Sequence, residues 1–237
     1  MPRIGGLGVI IGFSTAVYLL SDSKKISSTQ LVILYAALPA YLIGAFEDIF
    51  KNISARVRFL ITLVPGLLFF GLSGTSIDKV GIAGIDWLLA NSFFSVALTS
   101  LCVAAMANAT NMLDGLNGLC AGVSISLGLG LGAIAAYLGD AAGLYFSLIF
   151  VGSVLGFAVF NWPLGRLFLG DGGAYFTGSI LALMGICLVD RNPSLTYIML
   201  LLLFSYPVFE FPSTVMRRLF KRVGTFSPDD FHLHSRF

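Results

Sequence analysis

The chain is a near-continuous succession of apolar runs long enough to cross a bilayer, and this limits its fold more than any single residue does. Roughly residues 5–21, 29–46, 57–73, 87–107, 118–138, 142–160, 173–189 and 195–211 form about eight such runs, parted by short polar breaks. A transmembrane barrel would show alternating segments of roughly ten residues instead. Hydrophobic residues make up 57% of the 237 and charged residues 11%, against roughly 25% charged in a soluble domain. The pattern predicts an all-α, polytopic membrane helix bundle of about eight transmembrane helices. No linker or low-complexity tract divides residues 1–237, which read as a single membrane domain.

With an even number of spans, both ends of the chain face one side. Arg3, Lys51, Arg56, Arg58, Arg166, Arg217, Arg218, Lys221, Arg222 and Arg236 fall there, and Lys24, Lys25, Lys79 and Arg191 fall opposite. The excess of Lys and Arg assigns the first side to the cytoplasm. A net charge of +2 without a basic stripe gives no footprint for nucleic acid. Cys102, Cys120 and Cys187 lack metal or redox spacing and read as buried packing residues. Gly8 with Gly12, and Gly128 with Gly132, have the spacing that lets helices approach. The run "RRLFKR" reads as an anchor to anionic lipid.

The segments "FEDIFKNISAR", "NATNMLDGLNG", "FNWPLGRLFLGDGG" and "SPDDFHLHSRF" all fall on the cytoplasmic side. Glu47, Asp48, Asp114, Asp171, Asp229 and Asp230 therefore converge on one face with His232 and His234. Acids near bilayer depth are costly and mark a functional site. Each alone is explained as a solvated helix cap; together on one face they are not. Carboxylate and amide oxygens without a cysteine cluster suit Mg²⁺, which takes one or two carboxylates plus substrate phosphate. Lys51, Arg56 and Arg58 follow the Glu47–Asp48 pair and suit a polyphosphate, the second requirement of phosphoryl transfer. At about 100° per residue, Asn108, Asn111 and Asp114 share one helix face. Gly115 and Gly118 let the chain turn close to a ligand there. Asn52-Ile-Ser and Asn108-Ala-Thr fit an N-glycosylation pattern but sit on the cytoplasmic side. Glu210 suits either a site acid or a partner for Arg217 or Arg218.

These motifs resemble the polyprenyl-phosphate N-acetylhexosamine-1-phosphate transferase superfamily along nearly the whole chain. The family's "PR.GG" segment matches Pro2, Arg3, Gly5 and Gly6, and its paired-acid loop matches Glu47 and Asp48 with Ser54 and Arg58. Its N..N..DG.(D/N)GL signature matches Asn108, Asn111, Asp114, Gly115, Asn117, Gly118 and Leu119. "FNWP...F.GD.G" runs from Phe160 to Gly172, and a terminal histidine motif is His232, Leu233 and His234. The resemblance implies that a UDP-N-acetylhexosamine gives its sugar 1-phosphate to undecaprenyl phosphate with Mg²⁺ (Mn²⁺ as a substitute), releasing UMP and starting a lipid-linked cell-surface glycan. It implies a bacterial inner-membrane enzyme with a cytoplasmic site, and leaves a homodimer open. Asp171 and Asn111 would hold the metal, Asn117 would read uracil, and Asn108 would support the nucleotide pocket. Lys51 and Arg58 would bind the pyrophosphate, and His232, His234 and Arg236 the phosphate or sugar. Asp48, Asp114 and Glu47 are the acids assigned to catalysis.

Two departures stand out: the first acid of the pair, usually Asp, is Glu47, and the chain reads as lacking the family's first and last spans. "FNWP" and "HLH" sit closer to the branch using UDP-GlcNAc than to the peptidoglycan translocase, with other N-acetylated sugars left open. Three rival readings are a truncated inactive relative, a secondary transporter with acids at the bilayer midplane, and an alcohol phosphatidyltransferase. The last carries an Ala-Arg pair where this chain has Gly118 and Leu119.

Overall fold

The computed structural model describes residues 2–21 and 25–220, and every regular element among them is helical. In chain order these are α1 (Gly5–Ser21), α2 (Ser28–Phe50), α3 (Ala55–Thr62), α4 (Val64–Ser73), α5 (Ala83–Leu89), α6 (Ser92–Leu113), α7 (Leu119–Tyr137), α8 (Ala141–Asn161), α9 (Gly170–Arg191), α10 (Tyr197–Leu203) and α11 (Ser205–Phe220). Among the described residues, six stretches are long and apolar enough to cross a membrane: α2, α3 with α4, α6, α7, α8 and α9. The shorter α1 is apolar as well. The chain is a polytopic all-α membrane bundle.

Boundaries differ from the sequence reading where polar caps or prolines intervene. The run expected over 87–107 is divided, because the Asn91 side chain accepts a hydrogen bond from Phe93 N–H (2.9 Å) and starts α6 afresh at Ser92. That helix then continues to Leu113, so Asn108 and Asn111 lie inside it. The second run extends through Glu47 and Asp48 to Phe50, closed by Lys51 in the left-handed region (φ 53°). Pro65 has no N–H for the Ile61 carbonyl, and the chain breaks at Leu63. Pro207 acts likewise on Leu203, beside the break at Phe204 that parts α10 from α11.

Helix α9 is the axis of the bundle: 94% of its apolar stretch is buried, against 22–50% for the other long stretches. Its glycines set the spacing. A Cβ on Gly172 would lie 2.8 Å from Ala45 N, and one on Gly178 would lie 2.7 Å from Ala107 Cα, so α2 and α6 meet α9 backbone to backbone. Phe13 of α1 sits edge-on to Phe146, Phe150 and Phe176, with centroids 5.1, 6.2 and 6.0 Å away, and fills the space among α1, α8 and α9. Gly128 and Gly132 pack against Phe150 and Ser147 of α8 as their spacing predicts, but Gly8 meets nothing within 4 Å. Cys120 and Cys187 are buried. Cys102 is exposed where it lines an open apolar cavity beside α6, which corrects its reading as a buried residue.

Candidate active site

The N-terminus of α9 organises the site. Its first N–H groups have no intrahelical acceptors, and the helix dipole favours negative charge there. Two carboxylates fill that need: Gly170 N–H donates to Asp114 Oδ2 and Gly172 N–H to Asp48 Oδ2, each at 3.1 Å. The C-terminal ends of α2 and α6 are thereby tied to the start of α9. Gly170 is required, since its φ is 79° and a Cβ would fall 2.6 Å from Asp48 Oδ2.

Asp171, in the first turn of α9, faces arginines instead. Arg58 Nη1 donates to Asp171 Oδ2 at 2.6 Å and stands 3.6 Å from Glu47 Oε1. The other Glu47 oxygen accepts from Ile53 N–H at 2.9 Å, which fixes the link between α2 and α3. Arg3 Nη1 lies 3.8 Å from Asp48 Oδ1 and 3.9 Å from Asp171 Oδ1. The Arg3 side chain is 58% exposed and those of Asp48 and Asp171 only 8% and 15%, so Arg3 forms the open edge of the cluster. The segment before α1 is held by Phe168 N–H to Pro2 O (3.1 Å) and by Gly5 and Gly6 N–H to Phe168 and Leu169 O (2.9 and 2.8 Å). Arg3 belongs to a motif without an expected role; its bridge between acids of two helices far apart in the chain is not visible from local spacing.

The other expected residues divide. Asn108 Nδ2 donates to Thr62 Oγ1 (3.0 Å) and Ala104 O (2.7 Å). It ties α6 to α3 one turn from Arg58 and so supports the site from behind. Asn111 is half-buried, one turn before Asp114 on the same face of α6. Asn117 is exposed beyond the end of α6. Lys51 is exposed and makes no ion pair among the described residues. Glu210 is buried in α11. Asp229, Asp230, His232, His234 and Arg236 lie outside the described residues.

Glu47, Asp48, Asp114 and Asp171 thus surround the guanidinium groups of Arg3 and Arg58, an excess of negative charge. Burial pushes the Asp114 carboxyl up to about 7, with Asp171 and Asp48 adding to the rise and the Gly170 N–H and Arg3 opposing it. The donor set fits a hard divalent cation. Asp48 Oδ1 is buried without a hydrogen-bond partner, and the oxygens of Asp171 and the Asn111 amide are of the same hard class. Among the described residues no three His, Cys, Asp or Glu side chains form a cage, so a cation here would rest on one or two carboxylates and a substrate's oxygens.

The Asp114 shift has a measurable consequence. Its carboxyl binds its proton more tightly in the folded state, from its ordinary 3.8 up to about 7. Stability should therefore fall as pH rises through that window and level off above it. Thermal melts in a chelator are expected to show this decline for the unmodified protein and a flattened profile for Asp114→Asn. Parallel profiles would remove Asp114 as the titrating group.

The model for glycosyl transferase family 4 matches residues 30–189, which include the ends of α2 and α6 and the start of α9. The chain belongs to glycosyl transferase family 4. Within this family it is 28% identical over 240 residues to a Bacillus subtilis (strain 168) protein named probable undecaprenyl-phosphate N-acetylglucosaminyl 1-phosphate transferase, covering 100% of this chain and 65% of that one. A Yersinia pestis undecaprenyl-phosphate alpha-N-acetylglucosaminyl 1-phosphate transferase is 27% identical over 241 residues, 99% of this chain and 64% of the relative. A Moorella thermoacetica phospho-N-acetylmuramoyl-pentapeptide-transferase is 28% identical over 197 residues, 78% of this chain and 60% of the relative. The chain thus spans 60–65% of the length of these family 4 relatives.

Proposed function

We propose that this protein transfers an N-acetylhexosamine 1-phosphate, GlcNAc 1-phosphate first, from a UDP-sugar to undecaprenyl phosphate in the bacterial inner membrane, releasing UMP at its cytoplasmic face. The observation that carries this reading is the convergence of Glu47, Asp48, Asp114 and Asp171 with Arg3 and Arg58 at one end of the bundle, in a chain of glycosyl transferase family 4. In this reading the acceptor's lipid phosphate meets the acids there, at the ends of the membrane-spanning helices. An apolar cavity of about 310 Å³, lined by Leu98, Cys102, Met106, Ala109, Ile186 and Phe204 among others, runs beside α6 as far as Ala109 and supports an isoprenoid acceptor. A transporter would place its acids at mid-helix. Here they occupy the last turn of α2, the C-cap of α6 and the first turn of α9.

In this reading an acceptor phosphate oxygen attacks the β-phosphorus of the UDP-sugar, the bond from that phosphorus to the bridging oxygen breaks, and UMP leaves. A phosphate monoester with a second pKa of about 6 is already mostly dianionic at neutral pH and needs no strong base. Arg58, Arg3 and Lys51 draw the pyrophosphate in and oppose its charge, and Asn117 pairs with the uracil edge. Asn108 keeps α3, and with it Arg58, in register. Asp48 orients the acceptor against these cations, while Glu47 adds field and Asp114 holds the turn at Gly170. His232, His234 and Arg236 are assigned to phosphate or sugar by the family motif alone. Mg²⁺, or Mn²⁺ in its place, would be held by Asp171 and Asn111 and would supply neutralisation of phosphate charge.

Detergent-purified protein given UDP-GlcNAc and Mg²⁺ is expected to release UMP only when undecaprenyl phosphate is added. Release without acceptor, or none with it, would count against the reading. Orientation has its own test. In a background without native cysteines, single cysteines at the exposed positions Asp78 and Ser194 should react with an impermeant thiol reagent in whole cells, while one at the exposed Asn52 should not. The reverse pattern would move the site to the other face.

A further inference from the structure

Asn161, the last residue of α8, carries no assigned role, yet it joins the two loops that flank the proposed nucleotide site. Its side-chain Oδ1 accepts from Gly118 N–H at 2.6 Å and its Nδ2 donates to Leu167 O at 2.9 Å. Its backbone carbonyl accepts from Gly165 N–H at 2.7 Å. At 3% exposure, with both ends of its amide engaged by backbone, it is unavailable to a ligand. What it fixes is the geometry next to Asn117. Gly118 is the N-cap of α7 with φ 82°, and a Cβ there would lie 2.7 Å from Trp162 Cδ1. Gly165, at φ 59°, lies against the Asn117 side chain: a Cβ would fall 2.7 Å from Asn117 Oδ1 and 2.8 Å from Cγ.

We infer that Asn161 is a positioning residue for the donor nucleotide, acting through Asn117. Its side chain pins the backbone immediately after Asn117 and shapes the 162–167 loop, whose Gly165 forms the wall behind the Asn117 amide. A hydrogen-bonding amide discriminates a base edge only when its direction is fixed by its own supports. The short "FNWP" motif thereby acquires a function distinct from metal or phosphate binding: it aims a residue on another loop. The inference rests on the proposed reading of Asn117 as a nucleotide contact.

The test uses the full chain, with calorimetric binding of UDP-GlcNAc and steady-state kinetics. Asn161→Ala is expected to weaken UDP-GlcNAc binding and raise donor KM by about tenfold, leaving kcat within about threefold and acceptor KM unchanged. In an Asn117→Ala background the same substitution should cost less than about twofold, because the group it aims is gone. Gly165→Ala, which keeps the Asn161 side chain but strains the loop at φ 59° and crowds Asn117 from behind, should reproduce the donor-selective defect if Asn161→Ala folds poorly. Equal losses with and without Asn117, or a fall in kcat with donor KM unchanged, would overturn the inference. Failure of the unmodified protein to bind UDP-GlcNAc would instead overturn the functional reading beneath it.

Discussion

Asp171→Asn is expected to lower UMP release by at least about a hundredfold, a barrier increase of about 2.7 kcal/mol or more, without unfolding the protein. Asp171 is where the opposing charges of the site meet, with Arg58 Nη1 at 2.6 Å from one oxygen and Arg3 Nη1 at 3.9 Å from the other. Removing its charge leaves both guanidinium groups with one fewer carboxylate and takes a hard oxygen donor from the proposed cation site. Asn keeps the shape of the side chain and an oxygen for Arg58 Nη1, and the start of α9 has two further side-chain ties. Asp48 and Asp114 supply these through Gly172 and Gly170. An unchanged melting temperature with lost turnover is the expected pair of results. Turnover like that of the unmodified protein would remove Asp171 from the site.

The second large effect separates the two adjacent acids. Glu47→Asp is expected to keep turnover within about tenfold, whereas Asp48→Asn should lose on the order of a hundredfold or more, a gap of at least about 1.4 kcal/mol. A nucleophile must be placed within about 0.5 Å, and the extra methylene of Glu argues against that role at position 47. The contacts of Glu47 are those of a supporting charge, with one oxygen on Ile53 N–H and the other near Arg58. Asp48 differs, because Oδ2 is bound by Gly172 N–H while Oδ1 is buried without a hydrogen-bond partner. An amide would lose that charge beside Arg3. Equal damage from the two substitutions, or a radiolabelled phosphoryl-enzyme when acceptor is withheld, would overturn direct attack.

The sequence made the helices legible because lipid demands long apolar runs, and it made the Asn108, Asn111 and Asp114 face legible because helical spacing is local. The break at Leu63 and the division of the 87–107 run are absent from that reading, although Pro65 and the Asn91 cap are local signals for each. Less could be read about the site's interior. That Asp48 and Asp114 would satisfy the free N–H groups of α9 depends on three helices meeting at Gly170 and Gly172, separated by long stretches of chain. Arg3 and Asn161 were visible as letters in motifs, but their roles are bonds to other loops, and a motif records identity without direction.

In the proposed reaction a sugar 1-phosphate moves, rather than a sugar alone. This is tested most directly by supplying UDP-GlcNAc labelled at the β-phosphorus together with undecaprenyl phosphate and Mg²⁺, then separating lipid from nucleotide. The label is expected to pass to the lipid product while unlabelled UMP is released in equal amount. Label retained on released UDP, with sugar joined to the lipid, would contradict this transfer.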